Sequence, residues 1–306
     1  MRSVDALMSG LIDYAGLFPP AGEDMRPALE NYASYLKGPD RRALGRFIVP
    51  FPRLRELEGA AADLMPRGRG VGAWQLSVLI SEDARSAGEE ILKFNERHAS
   101  GSNHGHVLID VAELKATAPE QVHHQRRDLP DSLTVYFEIP LAGDVTPLVH
   151  SIAQAGARAK MRTGGVTPEA FPPAEQIIDF IIACAGEKVP FKATAGLHHP
   201  IRAERPLTYE PDSVRGVMYG FVNVFLAAAL VYAGESHAIA VGALEESDPT
   251  AFAFEDGAIV WKDRRVTADQ MAAARAKFAI AFGSCSFREP VDELAQLTRH
   301  ARAMTK

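Results

Sequence analysis

Cysteine is nearly missing from this 306-residue chain: there are two, Cys184 and Cys285, with no CxxC pair. That excludes a disulfide framework and a structural zinc site, and it fits a reducing compartment, the cytoplasm. Long apolar runs are missing too. The nearest, GFVNVFLAAALVYAG at 220–234, is interrupted by Asn223 and falls short of the roughly 18 residues a membrane span needs, so it reads as a buried helix. The opening MRSVDALMSGLIDYAG has an early acid and too short an apolar stretch for a secretory signal. Charge of one sign never accumulates, and the formal net charge of −6 is spread along the chain, which argues against nucleic-acid and membrane-surface partners. A small molecule is the expected ligand, and a homo-oligomer is compatible with the sequence. No repeat or low-complexity tract interrupts the chain.

What is present is an alternation. Short runs rich in β-branched and aromatic residues, at 11–18, 45–51, 74–80, 106–114 and 133–141, are each followed by a segment of helical periodicity. Gly38 closes the first of these helices, and Ser81 is placed to cap the one at 82–99. Two further strands, AKMRTGG (159–165) and VPFKATAGL (189–197), bracket another helix, and FAIAFGSCSF (278–287) supplies an eighth. With 47% hydrophobic residues the chain fills one large core. The expectation is an α/β fold, a (β/α)8 TIM barrel forming a single domain over 1–306. Between the seventh and eighth strands, PIRAERPLTYEPDS reads as a loop. A segment at about 235–268 then reads as an insertion, because AFAFEDGAIVW has the alternation and Asp-Gly turn of a β-hairpin. HAIAVGAL competes with FAIAFG for the eighth strand.

Chemistry gathers on the sixth and seventh strands. Side chains alternate along a strand, so Lys160 shares a face with Arg162, and Lys192 shares one with Thr194. Pointing into a closed barrel, both amines would lie near its C-terminal rim, where such barrels place active sites. Three cations at one mouth repel, which lowers the pKa of at least one amine and makes it a nucleophile toward carbonyl carbon. Asp110 and Glu113 in LIDVAEL and Glu138 in VYFEIP end the fourth and fifth strands; Asp110 is suited to relay protons, Glu138 to pair with a lysine. Thr163 and Gly164, Thr194 and Gly196, and Gly283, Ser284 and Ser286 follow three successive strands as small residues able to cradle an anion. His198 and His199 close the seventh strand and are adjacent, so at most one faces a given site. Cys285 reads as a buried thiol. From the residues alone three functions stand: an imine-forming lyase, a metal-dependent isomerase or hydrolase using His198 or His199 with Glu138, and a barrel that binds an anionic metabolite without turning it over.

KMRTGG with TPEA after it, KATAGL and FGSCSF resemble the lysine strands and phosphate loop of the deoxyribose-phosphate aldolase (DeoC-like) class I aldolases. FIVPFPRLREL, LIDVAEL and TVYFEIP fall in matching order. The resemblance implies a metal-free and cofactor-free carbon–carbon lyase acting on a small anionic carbonyl compound, phosphorylated or carboxylated. Lys160 would be the Schiff-base nucleophile, Lys192 the amine that depresses its pKa, and Asp110 the relay acid. Thr163, Gly164, Gly196, Gly283, Ser284 and Ser286 would hold the anion, with His198 nearby. Arg162 stands where the family has a small residue, and a guanidinium there suits a carboxylate.

Overall fold

The computed structural model describes residues 1–68, 70–81, 83–100 and 103–304, with side chains described as far as 299. Eight parallel strands close into a barrel: β1 (Ile12–Tyr14), β2 (Leu44–Pro50), β3 (Trp74–Leu79), β4 (Val107–Lys115), β5 (Thr134–Glu138), β6 (Arg158–Arg162), β7 (Phe191–Thr194) and, after five short strands outside the barrel, β13 (Ala279–Ser284). Helices run between them, so the fold is a (β/α)8 TIM barrel. Among the described residues no helix is long and apolar enough to cross a membrane.

Alternation along the strands sorts the side chains. Phe47, Val49, Leu76, Val78, Val135, Phe137, Ala159, Met161, Phe191, Ala193 and Phe282 are all buried, and they belong to the hydrophobic core shared with the surrounding helices. The residues between them on β4 to β7 include Glu113, Glu138, Lys160 and Lys192, all buried inside the barrel. A TIM-barrel interior is ordinarily filled with branched aliphatics. Here the same positions carry charge, and those charges pair with each other.

Helix Phe221–Tyr232 is buried over its whole first eleven residues. A helix apolar on every side needs cover on every side. Phe221 stacks on Phe282 of β13 at 5.4 Å, while helix His237–Glu245 packs on the opposite flank. HAIAVGAL is therefore that covering helix, and FAIAFG is the eighth barrel strand. Asn223, fully buried, accepts the Arg202 amide at 2.9 Å and donates to the carbonyls of Ala243 and Glu246 at 2.8 Å each. Its amide thus ties the loop after β7 to the end of the covering helix. Asn223→Leu strands three backbone groups and is expected to cost about 2–3 kcal/mol, read as a lowered denaturant midpoint at unchanged slope.

Two expectations need correction, and a third is extended. The helix at 84–97 is capped by Asp83, whose carboxylate accepts from the Ser86 amide at 2.9 Å, and not by Ser81. PIRAERPLTYEPDS contains structure: β8 (Ala203–Pro206) pairs with β9 (Arg215–Met218) as an antiparallel hairpin, and Leu207, just after β8, and Met218, at the end of β9, both line the mouth of the barrel. Short, half-exposed strands of mixed polarity carry too little alternation to be read as strands. The inserted AFAFEDGAIVW does form a hairpin, β10 (Phe252–Phe254) with β11 (Ala258–Trp261), and β12 (Arg264–Thr267) extends it to three strands. That meander lies at the far end from the mouth, against helix Arg2–Met8: the Ser3 amide donates to Asp256 O at 3.0 Å and Arg2 Nε to the Asp256 carboxylate at 3.1 Å.

Candidate functional site

Register places Lys160 on β6 beside Lys192 on β7 and beside Glu138 on β5. Strand pairing alone would set two ammonium groups against each other. The barrel closes the conflict with acids from strands β1, β4 and β5. Lys192 Nζ lies 2.5 Å from Asp13 Oδ2 and 2.7 Å from Glu113 Oε1. Lys160 Nζ lies 2.7 Å from the other oxygen of Glu113 and 2.8 Å from Glu138 Oε2. The order is Asp13, Lys192, Glu113, Lys160, Glu138, charges alternating across the barrel. Ser77 Oγ on β3 donates to Glu113 Oε1 at 2.5 Å, fixing the central carboxylate. Asp13 is held in turn by the Arg46 amide at 2.8 Å, and only a glycine at position 45 leaves room for its oxygen.

This arrangement reverses one expectation. Burial disfavours the Lys192 ammonium, but Asp13 and Glu113 outweigh burial and push its pKa above the ordinary lysine value. Lys192 is not held uncharged by its neighbour, because the Glu113 carboxylate stands between the two amines. Burial likewise disfavours the Glu113 carboxylate, and the two lysines overcome it, holding it well below its ordinary 4.5. The signs give the pH window. A depressed acid contributes stability above its unfolded pKa and loses it as pH falls; a raised lysine contributes below its unfolded pKa and loses it as pH rises through the folded value. The barrel is therefore expected to keep this contribution across neutral pH and to lose it only below about 4.5 and above about 10.4, with the Glu113→Gln variant showing a flatter acid limb in denaturation.

Only one of the two amines opens on free space. A cavity of about 390 Å³ lies at the C-terminal mouth, and Lys160, Glu113 and Glu138 form part of its lining; Lys192 does not. The volume suits a small organic ligand. Lys115, Arg162, Thr194, Gly196, His198, Gly283 and Cys285 also line it. Arg162 is half-exposed, with Glu138 Oε1 3.9 Å from its guanidinium. Two carboxylates thus face three cationic side chains, and His198 adds to the positive side. Burial lowers the His198 pKa, but contacts with Cys285 and Glu289 more than reverse this and bring it to about 9.

Asp110, expected as the relay acid, is elsewhere. Its carboxylate takes a bidentate pair from Arg46, at 2.7 and 2.6 Å, and neither residue borders the cavity. A register irregularity on β4 leaves Asp110 unpaired between Ile109, opposite Leu76, and Val111, opposite Ser77. Asp110 thus lies earlier on the strand, away from its C-terminal end, and Glu113, three residues further on, is the acid beside the lysines. Asp13 and Ser77 were also missed. Each sits singly in a short apolar strand, and only closure of the barrel brings them to Lys192 and Glu113.

The small-residue loops divide in the same way. Thr194, Gly196 and Gly283 reach the cavity, whereas Thr163, Gly164, Ser284 and Ser286 do not. The Thr163 hydroxyl donates to Ala195 O at 2.6 Å, locking β6 to β7. Phe171 fills the space beside Gly164 and Gly196. Ser284 Oγ accepts the Ser286 amide at 3.3 Å, and Ser286 Oγ accepts the Glu289 amide at 3.2 Å, starting the last helix, Arg288–Met304. These contacts serve the local backbone, away from the cavity lining. His198 and His199 turn to that helix, with Nδ1 atoms 3.1 Å from Glu289 and 2.8 Å from Glu293. Among the described residues no three His, Cys, Asp or Glu side chains gather as a metal site, which leaves the metal-dependent reading without a ligand set.

Comparison of the chain with family models, with curated proteins and with solved structures returns no match.

Proposed function

We propose that the protein is a class I carbon–carbon lyase that forms a Schiff base between Lys160 and a small 2-oxo acid. The observation that carries this reading is the unequal placing of the two lysines: one amine on the cavity floor between two carboxylates, the other sealed beneath it. The DeoC-like order of lysine strands supports it as well.

The chemistry follows from the groups present. Glu138, bordering the cavity 2.8 Å from Lys160 Nζ, is placed to take the ammonium proton and free the lone pair. The amine adds to the 2-oxo carbon of a 4-hydroxy-2-oxo acid, and loss of water gives the iminium. Removal of the 4-hydroxyl proton then breaks the C3–C4 bond, an aldehyde departs, and the electron pair passes into the enamine. Protonation at C3 and hydrolysis release the shorter 2-oxo acid and restore the amine. Glu113, tied by Ser77 and both lysines, holds Lys160 at the cavity floor throughout. Lys192 supplies the positive charge that keeps Glu113 ionised.

A carboxylated substrate is favoured over a phosphorylated one. The Thr163, Ser284 and Ser286 hydroxyls do not line the cavity, while Arg162 presents a half-exposed guanidinium to it, suited to a two-point carboxylate contact. The free, buried thiols of Cys184 and Cys285 support a reducing compartment such as the cytoplasm.

Incubation with a panel of 4-hydroxy-2-oxo acids in the presence of a chelator tests the proposal. Release of pyruvate or a longer 2-oxo acid, unaffected by the chelator, is the expected outcome. Complete stability of every member of the panel, or activity appearing only with added divalent metal, would count against it. Arg162→Met is expected to raise KM about 10- to 100-fold with a smaller change in kcat, because a lost carboxylate contact weakens ground state and transition state together.

A further inference from the structure

A second group of reactive side chains borders the same cavity and takes no part in the lysine chemistry. Cys285, in the loop after β13, and His198, in the loop after β7, both line it. Each is buried, 5% and 7% exposed. The sulfur lies 4.0 and 3.9 Å from the two ring nitrogens of His198, set against the imidazole. His198 Nδ1 is 3.1 Å from Glu289 Oε2, and the Tyr209 hydroxyl donates to that same oxygen at 2.8 Å while standing 3.9 Å from the sulfur. Four elements thus deliver a thiol, an imidazole, a carboxylate and a phenol to one corner. The sulfur contacts His198 and Tyr209, both bonded to Glu289, and the charged groups elsewhere on the cavity wall are Glu113, Lys115, Glu138, Lys160 and Arg162. A thiol beside an imidazole that a carboxylate orients is the arrangement of an activated cysteine. The other cysteine, Cys184, is buried in helix Ala174–Gly186 and burial alone pushes its thiol pKa up.

We propose that Cys285, His198 and Glu289 form a second covalent centre, in which the thiol adds reversibly to the carbonyl carbon of a small aldehyde held in the cavity. His198, held protonated beside Glu289, acts as the proton donor. The carbon–sulfur bond forms as the carbonyl π pair moves onto oxygen. That oxygen takes a proton from the imidazolium and the Cys285 thiol proton replaces it on the ring, giving a neutral thiohemiacetal with no oxidant or reductant consumed. The centre stands independently of imine formation at Lys160.

Alkylation of the native protein with iodoacetamide at pH 7, followed by peptide mapping, tests this. One carbamidomethyl group is expected, on Cys285, with Cys184 untouched. Glyoxylate, a small aldehyde bearing a carboxylate, should slow labelling about tenfold or more by occupying the sulfur, and His198→Gln should slow it about tenfold even without glyoxylate. Cys184 labelling reveals any variant that has unfolded, and Glu289→Gln then serves in its place. A Cys285 that stays unlabelled in the native protein, that labels equally fast in a folded His198→Gln or Glu289→Gln variant, or that glyoxylate fails to protect, overturns the proposal. Borohydride fixes an imine to lysine but leaves no adduct on a thiohemiacetal sulfur, so the two centres succeed or fail separately.

Discussion

Lys160→Met is expected to lower turnover of a cleavable 4-hydroxy-2-oxo acid on the order of 10³-fold or more, equivalent to about 4 kcal/mol of lost transition-state stabilisation. No neighbouring amine replaces it. Lys192 is held by Asp13 and Glu113 beneath the cavity floor, and Lys115, although at the rim, follows Leu114 on β4, separated from Lys160 by the intervening strand β5. The substitution should leave the barrel folded. Glu113 keeps Lys192 as its counter-ion, and Glu138 keeps Arg162 within 3.9 Å. Steady-state kinetics of the variant beside its far-UV spectrum distinguishes loss of the reacting amine from loss of structure. Retention of more than about a tenth of the activity in a folded Lys160→Met would exclude covalent catalysis at this residue.

The second large effect is on stability, and it falls on the other lysine. Lys192→Met removes the cation that bridges Asp13 and Glu113, both about 2% exposed. Glu113 retains Lys160, but Asp13 is left with backbone hydrogen bonding alone among its close contacts. A buried ion pair broken from one side typically costs about 3–5 kcal/mol, more than the pair contributes when intact, because the remaining charge is stranded. A loss of that size, read by denaturant titration at neutral pH, is predicted for Lys192→Met. Partial recovery is expected in the double variant Lys192→Met with Asp13→Asn, which removes the stranded charge. A Lys192→Met protein as stable as the parent would show that the alternating charges do not hold the barrel together.

Much of this fold is legible in the sequence because parallel strands buried under helices leave a strong apolar signature. The eight strands of the barrel fall where the apolar runs predicted them, with ends shifted by a few residues. What the sequence conceals is convergence. Asp13, Ser77 and Glu113 come from three different strands, and nothing local distinguishes them from acids and hydroxyls that end in solvent. Lys160 and Lys192 stand out because lysine within an apolar strand is costly to bury. Their partners stay invisible because closure of the barrel, not neighbouring sequence, supplies them. Asp110 shows the opposite error: it stands out as an acid in an apolar strand, yet it is taken up by Arg46 short of the C-terminal mouth and does not border the cavity. The β8–β9 hairpin escapes notice for a third reason. Its strands are only four residues long and half-exposed.

The central claim is that one lysine meets the substrate and its neighbour, one strand away, never does. Borohydride reduction in the presence of pyruvate, with digestion and mass analysis of the modified peptide, tests it directly. The account predicts a single added 1-carboxyethyl group on Lys160, absent when borohydride or pyruvate is omitted. A modification on Lys192, or labelling scattered over surface lysines with Lys160 unmodified, would contradict it.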